Sequence, residues 1–339
     1  MKIFIVDGQE YRLPGSLNDF QQAMYIHLIN WKWAQITRDP GFVRGVVYDA
    51  ALPERYVDKF PMLYPEIVPA LNQHLGKFPF RIHTYFNHMA SSQAANINLF
   101  LPILYHPNVN AIFAALKSDF TSMAVDQLDH GYRIEYWDEP FGSLHDKNKA
   151  TGTDSDIAIA YYNHQDELCL WLIEHKLTEN EFTRCGGAKS RRRRPSHDCT
   201  KSFAEILANK DLCFYHHMNK YEYWNITEAN QGFFANHTQY VHCPFKGGLN
   251  QLWRNQLLGL GIEGDDRQDY KHVTFSVVKH PGNAHLDKSL DAYNNLIAHN
   301  AKFSVFTSED VINAATRHAD AGLDAWIDWY KGLYNLRIK

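Results

Sequence analysis

The chain reads as a layered α/β fold, and three observations point to it. Two runs rich in β-branched, aromatic and aliphatic residues, Ile157 to Tyr162 and Leu168 to Leu177, flank the turn-forming stretch Asn163-His164-Gln165-Asp166-Glu167, the pattern of a β-hairpin. A strand-like run, Tyr132 to Trp137, precedes the hairpin, and a helix, a strand, a helix and a strand follow it, an order suited to a sheet with helices on its faces. At 339 residues, 45% hydrophobic and 14% aromatic, the chain can bury a large core.

In chain order, MKIFIV is strand-like, and charge and turn residues follow where a secretion signal would carry its apolar region. Asn18 to Ala34 reads as a helix with Ser16 and Asp19 as its capping pair, and Pro40-Gly41 ends that region. Between Val46 and Leu75, Pro53, Pro61, Pro65 and Pro69 interrupt the aromatics, so irregular structure with short helices is expected. Met89 to Leu104 and Val109 to Leu128 are the next helices. After the hairpin, residues 180–245 contain RCGGAKSRRRRPSHDC, a helical stretch SFAEILANKDLCFYHHMNKYEYW, and QGFFANHTQYVHCPF. Gly248 to Gly261 spaces Leu249, Leu252, Trp253, Gln256 and Leu257 for helix packing. Strands over Val273 to Lys279 and Phe303 to Thr307 enclose a helix from Leu286 to His299. A last helix, Ser308 to Tyr334, covers the core with Trp326, Trp329, Tyr330 and Leu333.

The hairpin carries the chemistry. Alternation puts Leu168, Leu170, Leu172, Glu174 and Lys176 on one strand face and Cys169, Trp171, Ile173, His175 and Leu177 on the other. Both faces are apolar until Glu174, as in a central strand covered on both sides. A hairpin symmetric about Gln165 sets Asp156 opposite Glu174, and a one-residue slip would separate them. Two carboxylates and an ammonium then converge at a buried strand end, where a divalent cation would offset the desolvated charge. Oxygen ligands from Asp156 and Glu174 suit magnesium or manganese, with Lys176 placed to position a water or help deprotonate it. Asp154 shares the parity of Asp156 and is either a second ligand or a loop cap. Glu135 is an additional acidic candidate or an edge-strand surface residue. The structural alternative for the whole set is a hairpin ending in a salt bridge.

Asp156, a spacer and then Glu174-His175-Lys176 resemble the Asp…Glu-x-Lys signature of the PD-(D/E)XK nuclease superfamily. WKWAQI, GFVRGVVYDAALP, SSQAANINLFLPI and the Cys-Pro-Phe…Gln-Leu-x-Arg-Asn stretch resemble segments of a prokaryotic restriction-endonuclease-like family within it. The resemblance implies a restriction-endonuclease-like core over 85–310, a central mixed β-sheet flanked by helices. Residues 1–85 would be an N-terminal elaboration packed on that core, 180–245 a cysteine- and arginine-rich insertion, and 311–339 a C-terminal helix. It implies magnesium-dependent hydrolysis of double-stranded DNA by an endonuclease, leaving a 5′ phosphate, as in restriction, phage defence or repair. Gln251 and Arg254 resemble a glutamine-bearing helix found beside the metal in such enzymes; the alternative is a polar helix face.

Net charge is −4 with pI near 6.5, so nucleic-acid contact needs a local basic surface. Arg191, Arg192, Arg193 and Arg194 form one soon after the catalytic strand, either contacting phosphates or standing in a solvated loop. Cys185, Cys199, Cys213 and Cys243 lack any CxxC pair but are placed to converge on zinc or an iron-sulfur cluster, or to stay as buried thiols; His197, His216, His217 and His242 are alternative ligands. No run is long enough to span a membrane, so a cytoplasmic location is the default. One active site per chain favours a homodimer for cutting both strands. A non-catalytic nucleic-acid-binding module and a metal-binding regulatory protein are the competing functions.

Overall fold

The computed structural model describes residues 2–146, 152–188 and 197–336, and the Arg191 to Arg194 run lies outside them. The chain opens with β1 (Lys2–Val6) and β2 (Gln9–Leu13), an antiparallel pair of its own, followed by α1 (Asp19–Gln35). A small hairpin of β3 (Gly41–Val43) and β4 (Val46–Tyr48) turns on Arg44 and Gly45, with φ of 50° and 76°. That left-handed pair is the geometry of a tight hairpin turn, for which glycine has no steric penalty. Next come α2 (Val68–Lys77), α3 (Ser92–Leu104) and α4 (Val109–Leu116).

The strands β5 (Ser122–Met123), β6 (Tyr132–Tyr136), β7 (Ser155–Tyr162) and β8 (Leu168–Lys176) begin the main sheet. Three short helices follow, α5 (Phe203–Ala208), α6 (Phe214–His217) and α7 (Tyr223–Ala229). Then α8 (Leu249–Glu263), β9 (His272–Lys279), α9 (Asp287–Leu296) and β10 (Phe303–Thr307) alternate, before α10 (Ser308–Thr316) and α11 (Ala321–Tyr334).

The sheet is mixed, in the order β10-β9-β8-β7-β5, with β6 also paired to β7. β7 and β8 are antiparallel and centred on Gln165, with Ile157 opposite Ile173 and Tyr162 opposite Leu168. β8 and β9 run parallel, as do β9 and β10. Helices cover both faces. Cys169, Trp171 and Ile173 pack with α1, α3, α4, α10 and α11, while Leu170 and Leu172 pack with α7, α8 and α9. Burial on both faces is why β8 reads as a continuous apolar run.

Four local expectations are corrected. α1 is capped by Asn18, which accepts the Gln21 N–H at 2.8 Å while the Gln21 side chain accepts the Asn18 N–H at 3.1 Å. The box sits there rather than on Ser16 and Asp19 because Asn18 is the last extended residue. The helix expected to reach Leu128 stops at Leu116, since β7 recruits Ser122 and Met123 as a sheet edge and Phe120 stacks on Tyr161 at 5.0 Å. The C-terminal helix is two helices, because the Asp320 carboxylate accepts the Gly322 and Leu323 N–H groups and starts α11 afresh. The stretch from Ser202 to Trp224 splits into α5, α6 and the start of α7.

Leu172 is fully buried between β7 and β9. Replacing it with Ala is expected to lower the unfolding free energy by about 2–5 kcal/mol in urea titrations, and a loss below about 0.5 kcal/mol would contradict a well-packed central strand.

Candidate active site

The β7–β8 ladder opens at one end, and there the polar side chains gather. Beyond the Ile157–Ile173 pair, the Ser155 hydroxyl donates to the Ile173 carbonyl at 2.8 Å. The Asp156 carboxylate accepts the His175 N–H at 2.6 Å. Side chains thus replace backbone partners on this edge, while β9 still holds Glu174 and Lys176 in register with Val277 and Lys279. The strands part on one side and stay anchored on the other.

Glu174 is 4% exposed and Lys176 7% exposed, and three donors converge on the Glu174 carboxylate. Lys176 Nζ and Gln251 Nε2 each donate to Oε1 at 2.6 Å, and Asn255 Nδ2 donates to Oε2 at 2.8 Å. Gln251 and Asn255 are one turn apart on α8, so a single helix face fixes the carboxylate. On the other side, α3 supplies Asn96, which donates to the Asp156 carbonyl at 3.0 Å, and Gln93, which donates to Glu135 at 2.8 Å. Glu135 has a φ of 50°, and the β6–β7 ladder passes over it. A non-glycine residue held there is strained, and the strain aims its carboxylate into the site.

These groups line a cleft of about 1060 Å³ that includes Glu135, Asp154, Asp156, Glu174, Lys176 and Gln251. Crowding by protein atoms, then the neighbouring acids, raises the carboxyl pKa values: Asp156 well above its ordinary range, Asp154 to about 6 and Glu135 to about 8. Asp154 is exposed to the cleft and the other two are half-buried, so cleft water tempers these shifts. For Lys176, burial opposes the charge, but Glu174, Glu179 and Asp156 outweigh it and hold the ammonium above its usual value. His175, on the opposite strand face, is pushed down to about 3 by burial and then by Lys176 and His280.

Among the described residues, no three His, Cys, Asp or Glu side chains are set as a ready-made metal shell. Glu174 is instead turned onto its three donors, and the Asp156 carboxylate onto the His175 amide. The donor chemistry still fits one kind of ion. Glu135, Asp154, Asp156 and Glu174 are among six carboxylates that line the cleft with the Lys176 ammonium, all hard oxygen ligands of the sort magnesium and manganese take.

Of the remaining candidates, Gln251 lies in the cleft and also accepts the Thr183 N–H at 3.0 Å. Arg254 is turned away from it: its Nε donates to Thr153 and Tyr223 at 3.0 Å, and its guanidinium lies 3.9 Å from Asp146. It braces Thr153, the residue before Asp154. Cys185, Cys199, Cys213 and Cys243 do not line the cleft. His242 lies on the Thr200 carbonyl and His216 on the Asp211 carboxylate, with the His217 ring 3.4 Å from the same carboxylate. Sequence reasoning missed Gln93, Asn96 and Asn255, although polar residues on apolar helix faces were a visible signal, and it missed the N-terminal wall formed by Arg44, Tyr48, Arg81, His83 and Tyr85.

The fold and the cleft define a mixed α/β protein that gathers carboxylates, an ammonium and amide side chains at the open end of its central hairpin. A family model described as restriction endonuclease associating with ARP matches residues 34–335, and the chain belongs to that family. No curated protein and no solved structure matches it.

Between its ordinary value of 4.5 and about 8, Glu135 holds a proton in the folded state that the unfolded state has lost. The folded state then binds more protons, so this group's contribution to stability falls as pH rises through that window. Glu135→Gln removes the slope. In EDTA, the melting temperature of the variant is expected to gain on wild type steadily from pH 5 to pH 8, and a constant or shrinking difference would refute the shift.

Proposed function

We propose that the protein is a metal-dependent nuclease that hydrolyses DNA phosphodiester bonds in this cleft, with the double-stranded duplex as its substrate. The observation that carries the reading is the convergence of Asp156 from one hairpin strand with Glu174 and Lys176 from the other, where the β7–β8 ladder ends at a cleft. Membership of a restriction-endonuclease family supports the same chemistry and the same substrate.

Asp156 and Glu174 would hold magnesium or manganese, with Asp154 as an extra ligand and Glu135 beside them. Once bound, such an ion supplies charge neutralisation and polarises the phosphate and its attacking water. The chain does the rest. Lys176, kept protonated by its acidic neighbours, places an ammonium against the phosphate oxygens or the water and acts as a cation rather than a base. Gln251 and Asn255 hold Glu174 in one orientation, and Asn96 fixes the Asp156 backbone. Water oxygen bonds to phosphorus as the bond to the 3′ oxygen breaks, leaving a 5′ phosphate and a 3′ hydroxyl. A cleft carboxylate takes the proton from the attacking water, and the departing 3′ oxygen takes one from solvent.

The wall facing the carboxylates suits the rest of the duplex. Arg44, on the β3–β4 turn, stands 5.4 Å over the Tyr85 ring, and both it and Arg81 are exposed. Guanidiniums there offer paired hydrogen bonds to phosphates flanking the cut.

With magnesium, purified wild type is expected to cleave plasmid DNA, and Asp156→Asn and Lys176→Ala are each expected to lose about 100-fold or more in rate. Binding without cleavage by wild type would replace the nuclease with a DNA-binding module, and full activity in Lys176→Ala would remove that residue from the reaction. Arg44→Ala combined with Arg81→Ala is expected to weaken DNA binding and to lower the slope of log affinity against log salt by about 2. An unchanged slope would take the duplex off this wall.

A further inference from the structure

The segment between β8 and α8 brings together four cysteines that the cleft does not use. Cys185 is buried, and Cys199, Cys213 and Cys243 are half-buried. Three independent contacts tie their flanks. The Asp198 N–H donates to the Leu212 carbonyl at 2.8 Å, which sets Cys199 beside Cys213. His242 Nδ1 lies 2.5 Å from the Thr200 carbonyl, which brings the residue before Cys243 to the residue after Cys199. A Cβ at Gly187 would stand 3.0 Å from Phe214 Cβ and 3.5 Å from Cys185 Sγ, so the Cys185 loop lies directly on the residue that follows Cys213. The Gly186 N–H donates to the Tyr215 hydroxyl at 2.9 Å and closes the same contact.

Backbone amides turn toward the sulfurs. The Ala188 N–H reaches Cys185 Sγ at 3.4 Å, with the Gly187 amide beside it. Amides of Tyr215 and His216 face Cys213, and that of Phe245 faces Cys243. Each lies two or three residues after its cysteine, a turn that cradles the sulfur. A neutral thiol is a weak acceptor and gains little from such donors, whereas a thiolate gains a great deal. The sulfurs also lie close enough to feel one another: burial first, then Cys185 and Cys213, push the Cys199 thiol up to about 11. Lys246 and Arg254 stand near enough to favour negative charge on Cys199 and Cys185.

We propose that Cys185, Cys199, Cys213 and Cys243 form a closed four-thiolate site for one zinc ion, distinct from the cleft, that holds the insertion in place against α8. On binding, four S–H protons leave to solvent and four S–Zn bonds form, with no change of oxidation state.

The test uses the full chain purified with zinc in the medium and without chelators. Elemental analysis is expected to find about one zinc per chain, and cobalt(II) exchanged into the site is expected to show the sulfur charge-transfer and visible bands of tetrahedral thiolate coordination. Cys243→Ser should lose the metal, while Cys169→Ser, which alters the fifth cysteine on β8, should keep it. Wild type decides the matter even where a variant fails to fold. A zinc-free wild type with freely titrating thiols, disulfides among the four by mass spectrometry, or iron with absorption near 400 nm would each overturn the proposal.

Discussion

The charged end of β8 sets the terms for the rest of the molecule. Eight consecutive positions from Cys169 to Lys176 are buried, and the last of them bring Glu174 and Lys176 to the floor of the cleft. A carboxylate and an ammonium so placed lose most of their hydration and must recover it from protein partners. Lys176 alone would not suffice for Glu174. Gln251 and Asn255 complete its hydrogen bonds, so α8 has to cross the sheet where those two amides reach the carboxylate. The position of a helix nearly eighty residues on in the chain follows from one buried charge.

The N-terminal part of the chain meets the same demand from the other side. Asn96 and Gln93 of α3 satisfy the Asp156 carbonyl and the Glu135 carboxylate, and Gln21 of α1 donates to the Thr178 carbonyl at 2.7 Å just beyond β8. Asn98, on the same helix, donates to the Met62 carbonyl and the Tyr334 hydroxyl at 2.9 Å, so α11 and the proline-rich segment lock onto it. The polar residues of α3 are therefore the joint between the sheet and its N-terminal cover. The strained backbone at Glu135 survives because this joint overdetermines it.

On the opposite layer, α8 serves two masters. One face presents Gln251 and Asn255 to Glu174, and Trp253 stacks on Phe245 at 4.1 Å with the rings nearly parallel. Phe245 and Trp224 belong to the cysteine-bearing segment, so the insertion and the site share one helix as their common support.

Local pattern was enough to determine the α/β class and the hairpin with its centre at Gln165, because two apolar runs flank one polar turn and the turn sets the register; the paired ladder itself stops at Ile157 opposite Ile173, and beyond it the Asp156 carboxylate takes the His175 N–H. The helix-strand-helix-strand order after residue 248 was equally legible, being written in periodicity and turn residues. Where competition between elements decides, the sequence was silent: the apolar run after Val109 looks helical until β7 claims Ser122 and Met123, and Asp320 divides the last helix by capping it. Only the tertiary structure could bring Asn255, Gln93 and Asn96 to the carboxylates, turn Arg254 inward onto Thr153 and Tyr223, and set Arg44 and Arg81 across the cleft. Those contacts join residues scores of positions apart. Their partners are chosen by which buried polar group would otherwise go unsatisfied, a condition that no local window of sequence contains.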